Sequence, residues 1–193
     1  MTKNKAILIH GWEGNPDVNW LPWLKHELEK RSFEVTVPAL PDPNYPKSDE
    51  WLQTMTEQVG LPSPDTVLVG HSLGAIAILH FLESLPENVS IRGVILVSGF
   101  AESLGYPETN NFFDTPVDFS KITPHLERAI VINSDNDPYV PLELGHSLAK
   151  SLGAEFILMP GAGHINKAAG FTECPLILES VLDLFNLDEP SSI

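Results

Sequence analysis

Three residues of the 193-residue chain have the types and placement to break an acyl bond together. Ser72 stands in Gly70-His71-Ser72-Leu73-Gly74, where an apolar β-type run, Thr66–Val69, meets an amphipathic stretch. A serine at such a strand-to-helix turn takes up a strained backbone, and its neighbours must be small to avoid clashes. The turn lifts Oγ above the carboxyl edge of a sheet, at the start of a helix. The amide of Leu73 then faces any oxyanion formed by attack of Ser72, and the helix dipole adds a favourable field. The G-x-S-x-G pattern alone is weak; its position between a strand and a helix is what gives it meaning. The bland alternative is a tight turn with an N-capping serine.

A serine hydroxyl needs a base, and the base needs an orienting carboxylate. Both belong on loops at the same sheet edge, just after later strands. The run "RAIVINSDNDPYVP" leads straight into Asp135 and Asp137, and "EFILMPGAGHINKAAG" leads into His164 past two glycines that let the loop bend inward. The chain order Ser72, Asp137, His164 is the nucleophile–acid–base order of such sheets. Asp135 competes for the acid role. Pro138 directly after Asp137, with Val140-Pro141 opening the next helix, favours Asp137 and leaves Asp135 to cap or orient the turn. His71 reads as a packing residue, and His26, His80, His125 and His146 as surface or packing histidines. A second oxyanion donor is expected from the loop after the first strand, "ILIHGWEGNPDVNW". There Gly11 lets the backbone swing toward the serine, and the Trp12 amide is the candidate, with Leu73 the other donor. The competing reading is a glycine turn in which Trp12 covers the core. His10 is expected to brace this loop by hydrogen bonds.

These residues need a scaffold, and the hydrophobic pattern supplies one. Six short apolar runs read as strands: Ala6–Ile9, Phe33–Val37, Thr66–Val69, Gly93–Val97, Ala129–Asn133 and Glu155–Met159. Most are apolar throughout, as suits strands buried on both faces of a parallel sheet. Helical patterns lie between and after them, at Trp20–Arg31, Ser48–Val59, Leu73–Leu85, Leu142–Leu152 and Glu173–Phe185. The alternation predicts an α/β fold with helices on both faces of the sheet and right-handed crossovers. The connection from Gly99 to Arg128 looks irregular and longer than usual. Its Phe112 and Phe113 either line an acyl pocket or pack on the sheet. Residues 1–187 read as a single domain and 188–193, "DEPSSI", as a frayed tail.

Composition narrows the function classes. A net charge of −15 makes nucleic acid and anionic membrane surfaces poor partners. The single cysteine, Cys174, excludes an internal disulfide framework and suits a reducing compartment. No secretory signal is visible and no apolar run approaches the ~20 residues of a membrane span, so a cytoplasmic location is expected. "HGWEGNPD" carries neither a dinucleotide fingerprint nor a P-loop. A dehalogenase would need a carboxylate at position 72, and a dienelactone-type hydrolase a cysteine. No His/Cys cluster has metal-ligand spacing, so neither a metal nor an organic cofactor is expected.

In these residues the chain resembles the α/β-hydrolase superfamily. More narrowly, it is similar to small cap-less serine hydrolases of the retinoblastoma-binding protein 9 and YdeN-like group. The resemblance runs over nearly the whole chain and rests on "ILIHGWEGNPDVNWLPWLKHELEKRSFEVTVPALPDPNYP", "WLQTM", "VLVGHSLG", "SDNDPYVP" and, most specifically, "GAGHINKAAGFTECP". It implies a three-layer αβα sandwich with strand order 2-1-3-4-5-6 and no cap domain. It also implies Ser72 as nucleophile, Asp137 as triad acid and His164 as base. The expected activity is hydrolysis of carboxylic esters, or related acyl bonds, of small soluble substrates through an acyl-enzyme. Thioester, amide and peptide bonds stay open, because a triad fixes the chemistry and not the leaving group. The other class is a binding or regulatory protein on a hydrolase scaffold with vestigial activity, and a protein partner stays open.

Overall fold

A computed structural model describes residues 3–186. The expected tail, 188–193, lies outside the described residues. Six strands, β1 (Lys5–Ile9), β2 (Glu34–Thr36), β3 (Thr66–His71), β4 (Ile91–Val97), β5 (Leu126–Asn133) and β6 (Glu155–Leu158), form one all-parallel sheet in the order β2-β1-β3-β4-β5-β6. The helices are α1 (Leu21–Lys30), α2 (Ser48–Val59), α3 (Leu73–Glu83), α4 (Phe119–Ile122), α5 (Leu142–Leu152) and α6 (Pro175–Leu184).

The strands are apolar throughout because alternate side chains enter different cores. Ala6, Leu8, Val67, Val69, Ile95, Val97, Ile130 and Ile132 pack beneath α1 and α6. Ile7, Ile9, Leu68, Val94, Leu96 and Val131 pack beneath α2, α3 and α5. The result is a three-layer sandwich. In α1 the buried positions are Leu21, Leu24 and Leu28, the single stripe of a helix lying on one sheet face. In α3 almost every residue from Leu73 to Leu82 is buried, so its sequence is apolar all round. That helix is the one carrying Ser72 at its N-terminus.

From β1 the chain runs outward to β2, then returns to place β3 on the other side of β1. The loops leaving β1 and β3 therefore diverge at the carboxyl edge, and a crevice opens between them. The Gly99–Arg128 connection is less irregular than its sequence suggests. It holds a 3₁₀ turn at Asn110–Phe113, the short α4, a second 3₁₀ turn at Thr123–His125 and the first three residues of β5. Those strand residues escaped notice because Glu127 and Arg128 project to solvent, where they pair with Arg92 and Asp183. The start of α4 is marked by Asp118, whose side chain accepts from the Ser120 amide at 3.0 Å.

Candidate active site

The turn at Ser72 has the backbone that its neighbours imply. Ser72 sits at φ 55°, ψ −121°, a left-handed conformation that a side-chain-bearing residue adopts only when its surroundings force it. The forcing is visible at Gly74. A β-carbon there would lie 2.6 Å from the carbonyl oxygens of both Ile9 and His10, so α3 can approach β1 this closely only through a glycine. The Ser72 amide donates to Val97 O at 2.8 Å, tying the turn to the end of β4.

The loop after β1 comes equally close. A β-carbon on Gly11 would lie 2.9 Å from His71 O and 3.0 Å from the Ser72 β-carbon, so the backbone just ahead of Trp12 passes close beside the serine. Among the described residues the amides of Trp12 and Leu73 donate to no protein acceptor. For Leu73 this follows from its place as the first residue of α3, where no carbonyl one turn back is available. His10 fixes the loop as expected, with Nδ1 donating to Gly11 O at 2.9 Å and Nε2 accepting from Leu40 N at 3.2 Å. Burial holds its pKa below the ordinary histidine value, against the opposing bond to Gly11, so it carries no charge at neutral pH.

Asp137 and His164 meet across the loops after β5 and β6. His164 Nδ1 donates to Asp137 Oδ2 at 2.8 Å, and the carboxylate is fully buried. The other oxygen, Oδ1, accepts from the amides of Tyr139 at 2.9 Å and Val140 at 3.1 Å. Burial alone would raise the Asp137 pKa. The His164 bond and charge, with the two amides, outweigh it and hold the carboxyl below its ordinary range. With Nδ1 committed as a donor, a neutral His164 presents Nε2 as its proton acceptor.

Asp135 does not touch His164; its Oδ1 accepts from the Gly161 amide at 2.8 Å. It orients the neighbouring loop and not its own turn, a partner that its sequence position does not disclose. Ser72 and His164 line one cavity of about 190 Å³. Among the described residues Ser72 Oγ makes no hydrogen bond to His164 or elsewhere. Bonds of this kind are commonly loose in a free enzyme and tighten with substrate. Trp12, Glu13 and Leu73 also border the cavity, and the segment after β4 adds Phe100, Leu104, Tyr106 and Thr109. Phe112 and Phe113 do not line it. Phe112 is buried edge-on against Trp51, and Phe113 stacks on Phe100.

His71 packs, as its position in the turn suggests, but it also bonds. Its Nε2 donates to His164 O at 2.9 Å, and Ser98 Oγ donates to the same oxygen at 3.2 Å. Trp20 Nε1 donates to Ile165 O at 2.9 Å. Three buried donors, at the end of β3, just past β4 and just before α1, thus pin the backbone at His164 and Ile165 from behind. Ser98 carries no motif that would have revealed this, since its role exists only once β4 lies beside β3. Tyr139, edge-on to His164 with ring centroids 5.0 Å apart, was likewise hidden in the "DPYVP" turn. His26, His80, His125 and His146 do not border the cavity. Among the described residues no cluster of His, Cys, Asp or Glu could hold a metal ion, and no helix is long and apolar enough to cross a membrane.

Residues 6–183 match the family model described as serine hydrolase. The chain belongs to the serine hydrolase family. It is 33% identical to the Bacillus subtilis protein YdeN over 187 residues, 96% of this chain and 98% of that protein. It is 27% identical to serine hydrolase RBBP9 of Rattus norvegicus, over 92% of this chain and 95% of the relative. The crystal structure of the B. subtilis ydeN product superposes with a TM-score of 0.92, covering 96% of this chain and 100% of that one. Est1E from Butyrivibrio proteoclasticus, 13% identical with a TM-score of 0.71, shares the fold. The small α/β-hydrolase architecture and its strand order are therefore as the sequence resemblance implies.

Proposed function

We propose that this serine hydrolase cleaves carboxylic esters, or related acyl bonds, of small soluble substrates through an acyl-enzyme on Ser72. The observation carrying the reading is the His164 imidazole, held at Nδ1 by a buried carboxylate and bordering the same cavity as a strained serine. Ser72 Oγ attacks the carbonyl carbon as its proton passes to His164 Nε2. The amides of Trp12 and Leu73 donate hydrogen bonds to the carbonyl oxygen as negative charge develops on it. Collapse of the tetrahedral adduct expels the alcohol, which takes the proton from Nε2. Water then attacks the acyl-enzyme with His164 again as base, and the acid leaves with Ser72 restored. Asp137 keeps the imidazole in the required tautomer and stabilises the imidazolium.

The cavity supports a small substrate. Its volume of about 190 Å³ falls below the roughly 300–1,000 Å³ usual for small-molecule sites. The acidic chain favours neutral acyl groups over anionic ones and disfavours nucleic acid and anionic membrane surfaces as partners, and the single cysteine suits a reducing, cytoplasmic setting. The test is a panel of p-nitrophenyl esters from acetate to laurate, with Ser72→Ala alongside. Turnover that peaks at short acyl lengths and vanishes in the variant is expected. No turnover of any ester by folded wild type would leave a binding protein on a hydrolase scaffold as the better reading.

A further inference from the structure

The loop that carries His164 is, by its own sequence, a poor platform for a base. Gly161, Gly163 and Ile165 all sit at positive φ, at 70°, 56° and 47°, within five residues. A stretch with two such glycines has many alternative conformations in reach. A base displaced by about 1 Å costs on the order of a hundredfold in rate. The bond from Nδ1 to Asp137 fixes the tip of the side chain, and His71, Ser98 and Trp20 hold the carbonyls of His164 and Ile165 from behind, but none of these reaches residues 161–163.

The preceding loop supplies what is missing. The Ala162 amide donates to Ser134 Oγ at 2.9 Å, the Gly161 amide to Asp135 Oδ1 at 2.8 Å and the Gly163 amide to Asn136 Oδ1 at 2.7 Å. With the bond from His164 to Asp137, the four consecutive residues 134–137 accept from the four consecutive residues 161–164. The contact continues the parallel ladder of β5 and β6, whose last step is Met159 N to Asn133 O at 2.8 Å. Past that step the strands part, and side-chain oxygens take over as acceptors. The middle of the array is cross-braced. Ser134 Oγ donates to Asn136 Oδ1 at 2.7 Å while accepting from Ala162, so the hydroxyl proton has one direction left. Asn136 Oδ1 in turn receives both Ser134 and Gly163.

The geometry points to Asp135 and Asn136 as positioning residues for the base: together with Ser134 they form a clamp that carries the placement of Asp137 over to the His164 backbone. This rests on the reading of His164 as base. Ser134 is buried, whereas Asp135 and Asn136 are exposed. Their side chains therefore have no large share in the core, and removing them tests placement more than folding. What the clamp needs from residue 135 is an acceptor oxygen, not a charge.

The experiment uses the full-length protein with Asp135→Ala, Asp135→Asn, Asn136→Ala and His164→Ala, assayed on p-nitrophenyl acetate with thermal unfolding recorded in parallel. Asp135→Ala and Asn136→Ala are expected to lose about 10- to 100-fold in kcat with KM changed less than about threefold. Asp135→Asn, which keeps Oδ1, is expected to stay within about threefold of wild type. Wild-type kcat in both alanine variants would overturn the clamp. So would Asp135→Asn as damaged as Asp135→Ala, or a loss of kcat that only tracks a fall in Tm or a failure to fold. His164→Ala keeps the two readings apart: if it remains active the base assignment fails, whatever residues 135 and 136 do.

Discussion

His71 should make this protein acid-labile. It is buried at 4% exposure, its ring centroid lies 4.9 Å from that of His164, and its pKa is pushed down to about 3. Burial is the main cause and the neighbouring His164 the second; the bond to His164 O and the Asp137 charge pull the other way, and His10 adds a small push down. In the unfolded chain the same group titrates near its ordinary 6.5. Between those values the unfolded state takes up a proton that the native state refuses. The stability is therefore intact above pH 6.5 and is lost as pH falls toward 3. At pH 5 the His71 contribution to that loss is about 2 kcal/mol. Asp137, whose pKa is lowered, adds its loss only as pH falls through the ordinary carboxylate range, so it leaves the interval from pH 7.5 to 5 clear. His10 is shifted in the same direction as His71 and adds to the wild-type slope. The perturbation is His71→Gln, which removes the titrating ring and keeps a donor for His164 O. The assay is urea unfolding followed by tryptophan fluorescence at pH 7.5 and pH 5.0. The drop in unfolding free energy between the two should be smaller in the variant by about 2 kcal/mol. Equal drops in both proteins would refute the reasoning, whatever the variant costs at neutral pH.

Three further outcomes are expected. Asp137→Asn should lose about 10³- to 10⁴-fold in kcat on a short-chain ester while circular dichroism stays native, because the histidine tautomer and the imidazolium lose their partner; a loss under tenfold would remove Asp137 from the role. Among the described residues Glu13 is the one carboxylate side chain bordering the cavity and no Lys or Arg joins it, so a monosuccinyl ester should turn over more slowly than the butyryl ester of the same alcohol; Glu13→Gln should narrow that gap, and an unchanged ratio would discharge Glu13. Gly145→Ala places a β-carbon 2.5 to 2.8 Å from the Asn133 side-chain amide, so it should cost about 1 to 3 kcal/mol in urea unfolding, and a neutral result would contradict the tight α5–β5 contact.

The layers of the fold were legible because the strands are short, apolar and regularly separated by helices with apolar stripes, a pattern that leaves few topologies open. α2 and α5 have the boundaries that their periodicity marks. The beginning of β5 was not legible, since Glu127 and Arg128 follow the needs of an exposed sheet end and carry no apolar signal. Ser72 and Asp137 announce themselves through local grammar, a serine held between glycines and an aspartate ahead of a proline. The groups that hold His164 have no such grammar. His71, Ser98 and Trp20 reach its backbone from 93, 66 and 145 residues away along the chain, measured to His164 or Ile165. Only the assembled sheet edge brings them together. Of the two readings open for Phe112 and Phe113, packing is the one the structure adopts, and the cavity takes Phe100, Leu104, Tyr106 and Thr109 from the segment after β4. Phe112 fills the core beneath α2, a choice made by packing volume that a reading along the chain does not reveal.

The claim that Ser72 is a nucleophile activated by His164 is tested most directly by trapping it. Wild type, Ser72→Ala and His164→Ala would each be treated with a fluorophosphonate, and the adduct counted by intact mass and located by peptide mass spectrometry. One adduct per chain on Ser72 is expected in wild type, none in Ser72→Ala, and labelling slowed by orders of magnitude in His164→Ala. A folded wild type left unlabelled, or an adduct on any residue other than Ser72, would contradict the account.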